Sequence, residues 1–213
     1  MIELPLFPLN TVLFPDMPIP LHIFEQRYKL MVQTCVQEQQ PFGIVLIEEG
    51  QAENGPLAVP YEIGCTAEIV EVQPLDDGRF LIMAIGQKRF RILSLKRNQP
   101  YLVGLVEYLS LEAENEQAVT SSSSRLRPLV IEYLHLLSRL GDVEFDPHQV
   151  PSTPEALAYL AAAVIQVPTD KKQDFLVTDK ATQLLQDLYI TYQQEIDLMR
   201  HMPKTDQGLF SIN

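Results

Sequence analysis

The side chains that could ligate a metal or attack a carbonyl are four histidines, two cysteines and a run of serines, and their spacing argues against both kinds of chemistry. His22, His135, His148 and His201 stand far apart, and none pairs with another His or Cys at metal-ligand spacing. His22 and Glu25 are three residues apart, but prolines precede them and a helix pattern opens at Glu25. The carboxylate is therefore expected to complement the helix dipole, and the imidazole to bond locally. Ser121–Ser124 lies in a polar stretch and reads as solvated linker rather than as a nucleophile. No G-x-S-x-G elbow and no G-x-x-x-x-G-K-[ST] phosphate loop occurs. Asp76-Asp77-Gly78-Arg79 is turn chemistry rather than an acid/base pair. The expectation is no catalytic residue, no metal site and no cofactor.

Cys35 falls on a helix pattern and Cys65 on a strand pattern, so both read as buried free thiols. Lys88, Arg89, Arg91, Lys96 and Arg97 form the one basic run. On a strand, Arg89 and Arg91 share a face opposite Phe90 and Ile92. Without aromatic residues on that face, it reads as an exposed, charge-balancing strand rather than an RNA platform.

The net charge of −12 supports that reading, with a pI near 4.7. Residues 1–112 and 113–213 each hold 8 basic and 14 acidic side chains, so each half carries −6. Such a field repels phosphate backbones, which makes nucleic acid an unlikely partner. Hydrophobic residues make up 46% of the 213, enough for a core, and the mean hydropathy is near zero. The longest mainly apolar stretch, Ala156 to Val167, is too short for a membrane span, which needs roughly 20 residues. Met1-Ile2-Glu3-Leu4 has no basic leader pattern, and a cytoplasmic location is expected.

The elements that would position these residues change character along the chain. Prolines interrupt the apolar runs Leu4–Leu9, Val12–Pro15 and Pro18–Ile23, so extended segments are expected, with no helix before about Phe24. Tyr28, Met31, Val32, Cys35 and Val36 then follow helical spacing over 25–39, and Pro41 stops the helix. Strands are expected at 42–47, 64–72, 80–85, 89–93 and 101–111, with a tight turn at Gly78, a bend or bulge at Gly86 and an excursion loop over 48–60. Closure into a barrel would hide the strand edges. Residues 113–124 read as linker. Helices are expected over 126–140, ended by Gly141; from a Ser152–Glu155 capping box to about Val167; over 170–176; and from 179 to about Met202.

The LPLFPL, VLFP and PLHIFEQRY runs, with Phe42-Gly43-Ile44-Val45, Tyr61-x-x-Gly64-Cys65-Thr66-Ala67, Gly86-x-x-Arg89-Phe90-Arg91-Ile92 and Gln183-Leu184-Leu185-Gln186, resemble the Lon protease amino-terminal (substrate-binding) domain. The resemblance implies an α+β fold: a PUA-like β pseudo-barrel with one early helix (1–112), then, after the linker at 113–124, an all-α helical bundle (125–213). It further implies non-catalytic binding of unfolded or partner polypeptide, as an adaptor or chaperone-like factor in protein quality control. Phe14, Met17, Ile19 and Tyr61 are the candidate binding residues. A hydrolase or protease accessory activity and RNA binding through the PUA-like fold are the alternatives, and homo-oligomerisation stays open.

Overall fold

The computed structural model describes residues 1–51, 58–76, 78–140 and 146–201. Parts of four sequence expectations lie outside them: the centre of the 48–60 loop, Asp77, Gly141 as a helix stop, and Met202. The chain is α+β, a β pseudo-barrel with an early helix followed by a helical region. It divides into two compact units, residues 1–110 with 166–177, and residues 111–165 with 178–213.

The first unit holds strands β1 (Ile2–Leu9), β2 (Pro18–Ile23), β3 (Phe42–Glu49), β4 (Val59–Pro60), β5 (Ile63–Pro74), β6 (Phe80–Lys96) and β7 (Leu102–Leu109), with helix α1 (Gln26–Glu38) between β2 and β3. Five strands close a ring in the order β1-β7-β6-β5-β3, sealed by the parallel pairing of β1 with β3 from Leu6↔Gly43 to Leu9↔Leu46. Leu4, Leu6, Val45, Phe90, Leu102 and Val106 form one buried cluster of this unit. Tyr28, Met31, Val32 and Cys35 of α1 join a second cluster with Phe7, Leu13, Phe42 and Ile44, the Phe7 and Tyr28 rings lying 4.1 Å apart. Each such large side chain contributes about 1.5–3 kcal/mol on burial. Glu25 occupies the N-cap position of α1 but makes no side-chain cap bond; its carboxylate pairs with Arg27 at 2.9 Å instead.

β5 and β6 run past the ring. Their connection uses Gly78 at φ +74°, with the Leu75 amide donating to the Arg79 carbonyl at 2.8 Å. The first half of β6 also pairs with β2 from Ile23↔Phe80 to Pro18↔Ile85, giving a three-stranded extension β2-β6-β5. Gly86 lies inside continuous β6, and the register against β5 shifts between Gly86 and Arg89, the irregularity expected there. It accommodates the 14–17 turn: the Asp16 amide donates to the Gly86 carbonyl and the Gly86 amide to the Met17 carbonyl, both at 2.9 Å. A Cβ on Gly86 would overlap the Phe14 carbonyl oxygen.

The basic strand face is not exposed as expected. Arg89 is 1% exposed, because helix α4 (Thr169–Val177) belongs to the first unit. Arg89 Nη1 donates to the Leu176 carbonyl at 2.7 Å and Nη2 to the Ser110 carbonyl at 2.9 Å. Gln173 Nε2 adds a bond to the Ile63 carbonyl at 2.9 Å. Arg91, two residues on, stays half-exposed and faces Glu107 at 3.4 Å.

The second unit holds α2 (Glu116–Leu140), α3 (Pro154–Val164) and α5 (Ala181–His201). The expected linker differs from what is found, since most of 113–124 is helical. Asn115 Oδ1 accepts from the Gln117 and Ala118 amides at 3.0 and 3.1 Å and starts α2 ahead of the serines. Val119 and Ser123 are then buried, so packing overrides the weak helix propensity of the Ser/Thr run. The apolar stripe of α5, Leu184, Leu185, Leu188, Tyr192 and Ile196, is buried. Tyr192 donates to the Ala161 carbonyl at 2.9 Å and meets Tyr133 edge-on at 5.2 Å. α3 starts after Thr153 rather than at a Ser152 box, without a side-chain cap bond.

Removing the guanidinium strands two carbonyls in a dry site, at about 1–3 kcal/mol each. Arg89→Met is therefore expected to lower stability to urea by about 2–5 kcal/mol and to speed amide exchange in α4 before the rest of the first unit. An unchanged urea midpoint would show that these bonds contribute nothing net.

Candidate functional site

The β2-β6-β5 extension is two-faced, and its register defines both faces. Residues directly opposite in antiparallel strands share a face. Toward the core lie Ile19, Ala84 and Ile69 in one row and Leu21 and Ile82 in the next, whose β5 end is Val72, exposed at the edge. On the outer face the rows are Pro18, Ile85 and Glu68; Pro20, Met83 and Glu71; and His22, Leu81 and Gln73. An aliphatic column, Ile85-Met83-Leu81, thus stands between a proline column and an acidic one. Leu81 is 41% exposed, Met83 and Ile85 are half-buried, and Pro18, Pro20, Glu68 and Glu71 are exposed.

This face has a sequence signal that alternation alone passes over. Phe80-Leu81-Ile82-Met83-Ala84-Ile85 is apolar at every position, the pattern of a strand covered on both sides. The outer side is the less covered of the two, with Leu81 exposed and Met83 and Ile85 half-buried against Ile82 and Ala84 fully buried on the inner side. The outer face is therefore an aliphatic column with charged and proline borders.

The four sequence-predicted residues fall differently. Phe14 is 1% exposed and packs beneath the turn that Gly86 receives. Met17 and Ile19 are half-buried against the core cluster, on the inner side of the extension. Tyr61, also half-buried, donates its amide to the Leu46 carbonyl at 2.9 Å, at the end of β5 opposite the extension. The structure gathers Phe14, Met17 and Ile19 behind the outer face and leaves Tyr61 apart. Pro18, Pro20, Leu81, Met83 and Ile85 form the surface itself.

The cysteines have the opposite of nucleophile character. Burial pushes the Cys35 thiol up to about 11 and the Cys65 thiol up to about 12, with Glu38 adding to the first and Arg89 partly offsetting the second. Among the described residues no three His, Cys, Asp or Glu side chains converge on a common point. No helix of those residues is long and apolar enough to cross a membrane.

The structure is thus an α+β pseudo-barrel whose β-extension carries an apolar outer face. The chain belongs to the family of the ATP-dependent protease La (LON) substrate-binding domain, which matches residues 3–192. It is 27% identical over 177 residues to a Lon protease of Anaeromyxobacter dehalogenans and 28% identical over 177 residues to Lon protease 2 of Myxococcus xanthus. Each alignment covers 82% of this chain and 21% of the relative, so the chain spans about a fifth of the length of these curated relatives. Its fold is similar to a Lon N-terminal domain protein from Xanthomonas campestris (TM-score 0.64, 22% identity, covering 95% of this chain and 100% of the other). It is also similar to the N-terminal domain of a Mycobacterium avium complex Lon protease (TM-score 0.70, 17% identity, 91% and 98%).

The two thiols generate a pH dependence. In the unfolded chain they ionise near 9.0, while in the fold they stay protonated until about 11 and about 12. Ionisation then favours the unfolded chain, so stability should be full below pH 9 and decline as pH rises toward 10. Urea midpoints at pH 8 and pH 10 test this, and a Cys35→Ala/Cys65→Ala chain should show a smaller drop between them.

Proposed function

We propose that this chain binds polypeptide without catalysing a reaction on it, using the outer face of the β2-β6-β5 extension. The observation that carries the reading is the aliphatic column Leu81-Met83-Ile85, with Leu81 exposed and Met83 and Ile85 half-buried, on a strand whose sequence is apolar on both faces. Membership of a substrate-binding domain family supports it. An unfolded segment offers apolar side chains that a folded protein hides, and such a surface can cover them. The adaptor or chaperone-like role in quality control follows from that selectivity for exposed apolar chain.

Enzyme activity is disfavoured by the suppressed thiols and by the absence of a phosphate loop or serine elbow in the sequence. RNA binding is disfavoured by the net charge of −12 and by the burial of Arg89, which removes the centre of the basic strand. Two free buried thiols suit the reducing conditions of a cytoplasm.

A reduced, carboxymethylated model protein should bind the chain, while the same protein in its native form should not. Leu81→Asp/Met83→Asp should weaken that binding at least about tenfold, since two buried apolar contacts at about 1.5–3 kcal/mol each are replaced by charges. Circular-dichroism melting guards against simple unfolding of the variant. Equal binding by wild type and variant would remove the outer face from the reading. Casein incubated with the chain, with or without ATP, should stay intact; fragments that persist through further purification would refute the non-catalytic part.

A further inference from the structure

Backbone geometry at the far side of the same extension names how a polypeptide would be held. The N–H and C=O of Gly86 both face the 14–17 turn. Along a strand these groups alternate in direction, so those of Ala84, Ile82 and Phe80 face β2, and those of Ile85, Met83 and Leu81 face β5. Their partners Glu68, Glu71 and Gln73 are thereby committed to β6. Ile69 and Val72 must point their backbone groups the other way. β3 pairs with β5 only at 65–67, so no strand meets Ile69 or Val72 on that side among the described residues. The prolines fit the same parity. Pro18, Pro20 and Pro74 all fall where a missing N–H faces away from β6.

The two edges of the extension therefore differ. The β2 edge is blunted by two prolines, a common protection against strand addition. The β5 edge keeps donors and acceptors and opens on a groove of about 660 Å³ against the C-terminal end of α1. The groove is lined by Val36 and Gln40 from one side, Glu68, Val70 and Val72 from the other, and Lys88. Val36, Val70 and Val72 are 47%, 54% and 39% exposed. Val70 is the extra residue of a bulge in β5, which limits the edge to a short pairing. Lys88 lies over the Tyr108 ring at 5.4 Å, and the carboxylates of Glu68 and Glu71 outnumber it along the groove.

We infer that the β5 edge takes one short extended segment of a partner polypeptide as an added strand, selecting segments in which apolar residues alternate with Lys or Arg. The backbone of that strand bonds to Ile69 and Val72, its apolar side chains meet Val36, Val70 and Val72, and its cations meet Glu68 and Glu71. A second copy of this chain is a poor occupant, since it brings the same acidic border and a charge of −12. The inference rests on the polypeptide-binding reading above and assigns it a second contact and a sequence preference.

The test uses a fluorescein-labelled Val/Lys alternating peptide of about eight residues, the reach of a short strand. Fluorescence polarisation on the full chain compares it with a Val/Glu peptide and with two backbone N-methylated versions, methylated at odd or at even positions. The Val/Lys peptide should bind, more weakly at high salt, and the Val/Glu peptide at least about tenfold more weakly. Only one methylated series should lose binding, by about tenfold, because only alternate amides face the edge. Val72→Pro should reproduce that loss, and the methylated probes keep the test valid on the wild-type chain if this variant misfolds. Equal binding by both methylated series overturns strand addition. If the carboxymethylated protein still binds through Leu81 and Met83 in that case, the proposed function stands and only this inference falls. If neither probe binds, both fall.

Discussion

A buried guanidinium sets the terms for the barrel unit. Arg89 sits on a strand whose neighbour Phe90 fills the ring, so its own side chain must leave through the outer wall. An arginine cannot shed its proton, and a dry site tolerates it only where oxygens receive its N–H groups. Two of those oxygens are backbone carbonyls, Ser110 just after β7 and Leu176 near the end of α4. The charge therefore fixes the close of the last strand and the seat of a helix distant in sequence. Gln173 repeats the arrangement one turn earlier with the Ile63 carbonyl, at the start of β5. Together they turn an exposed wall into an interior, where Phe175 and Leu176 are each 1% exposed.

Much of the fold is legible in the sequence because it is written in local rules. Helical spacing from Tyr28 to Cys35, proline-broken strands before it, and a glycine turn at Gly78 each follow from nearby residues. The resemblance supplies the closed ring, which no local rule contains. Arg89 is misread for a physical reason. Alternation tells which face a side chain takes, but not whether another element covers that face, and α4 returns to the barrel after an intervening stretch of 55 residues, 111–165. The serines of α2 read as linker because polar composition hides the helix, although the cap at Asn115 starts it. At the candidate surface, the prolines were visible but their neighbours were not. Met17 and Ile19 are apolar and close to the surface, yet they belong to its underside, and the exposed column comes from a strand more than 60 residues on in the chain.

The extension manages two opposing demands. An apolar outer face and free strand edges invite self-association as readily as they invite a partner. Prolines remove donors from one edge, a bulge and Pro74 shorten the other, and acidic side chains border the aliphatic column. The dispersed negative charge adds a general repulsion between copies.

The membership of α4 in the barrel unit has a consequence for biosynthesis. A ribosome delivers β7 well before Thr169 to Val177. At roughly 5–20 residues per second, the barrel strands wait on the order of several seconds for their last helix. During that interval the Arg89 guanidinium has the Ser110 carbonyl but not that of Leu176, the Ile63 carbonyl lacks Gln173, and the wall that receives Phe175 stays wet. The nascent barrel thus has an uncovered wall until the chain has made most of the second unit. A premature stop after β7 would yield every strand of the ring without the helix that covers its Arg89 wall.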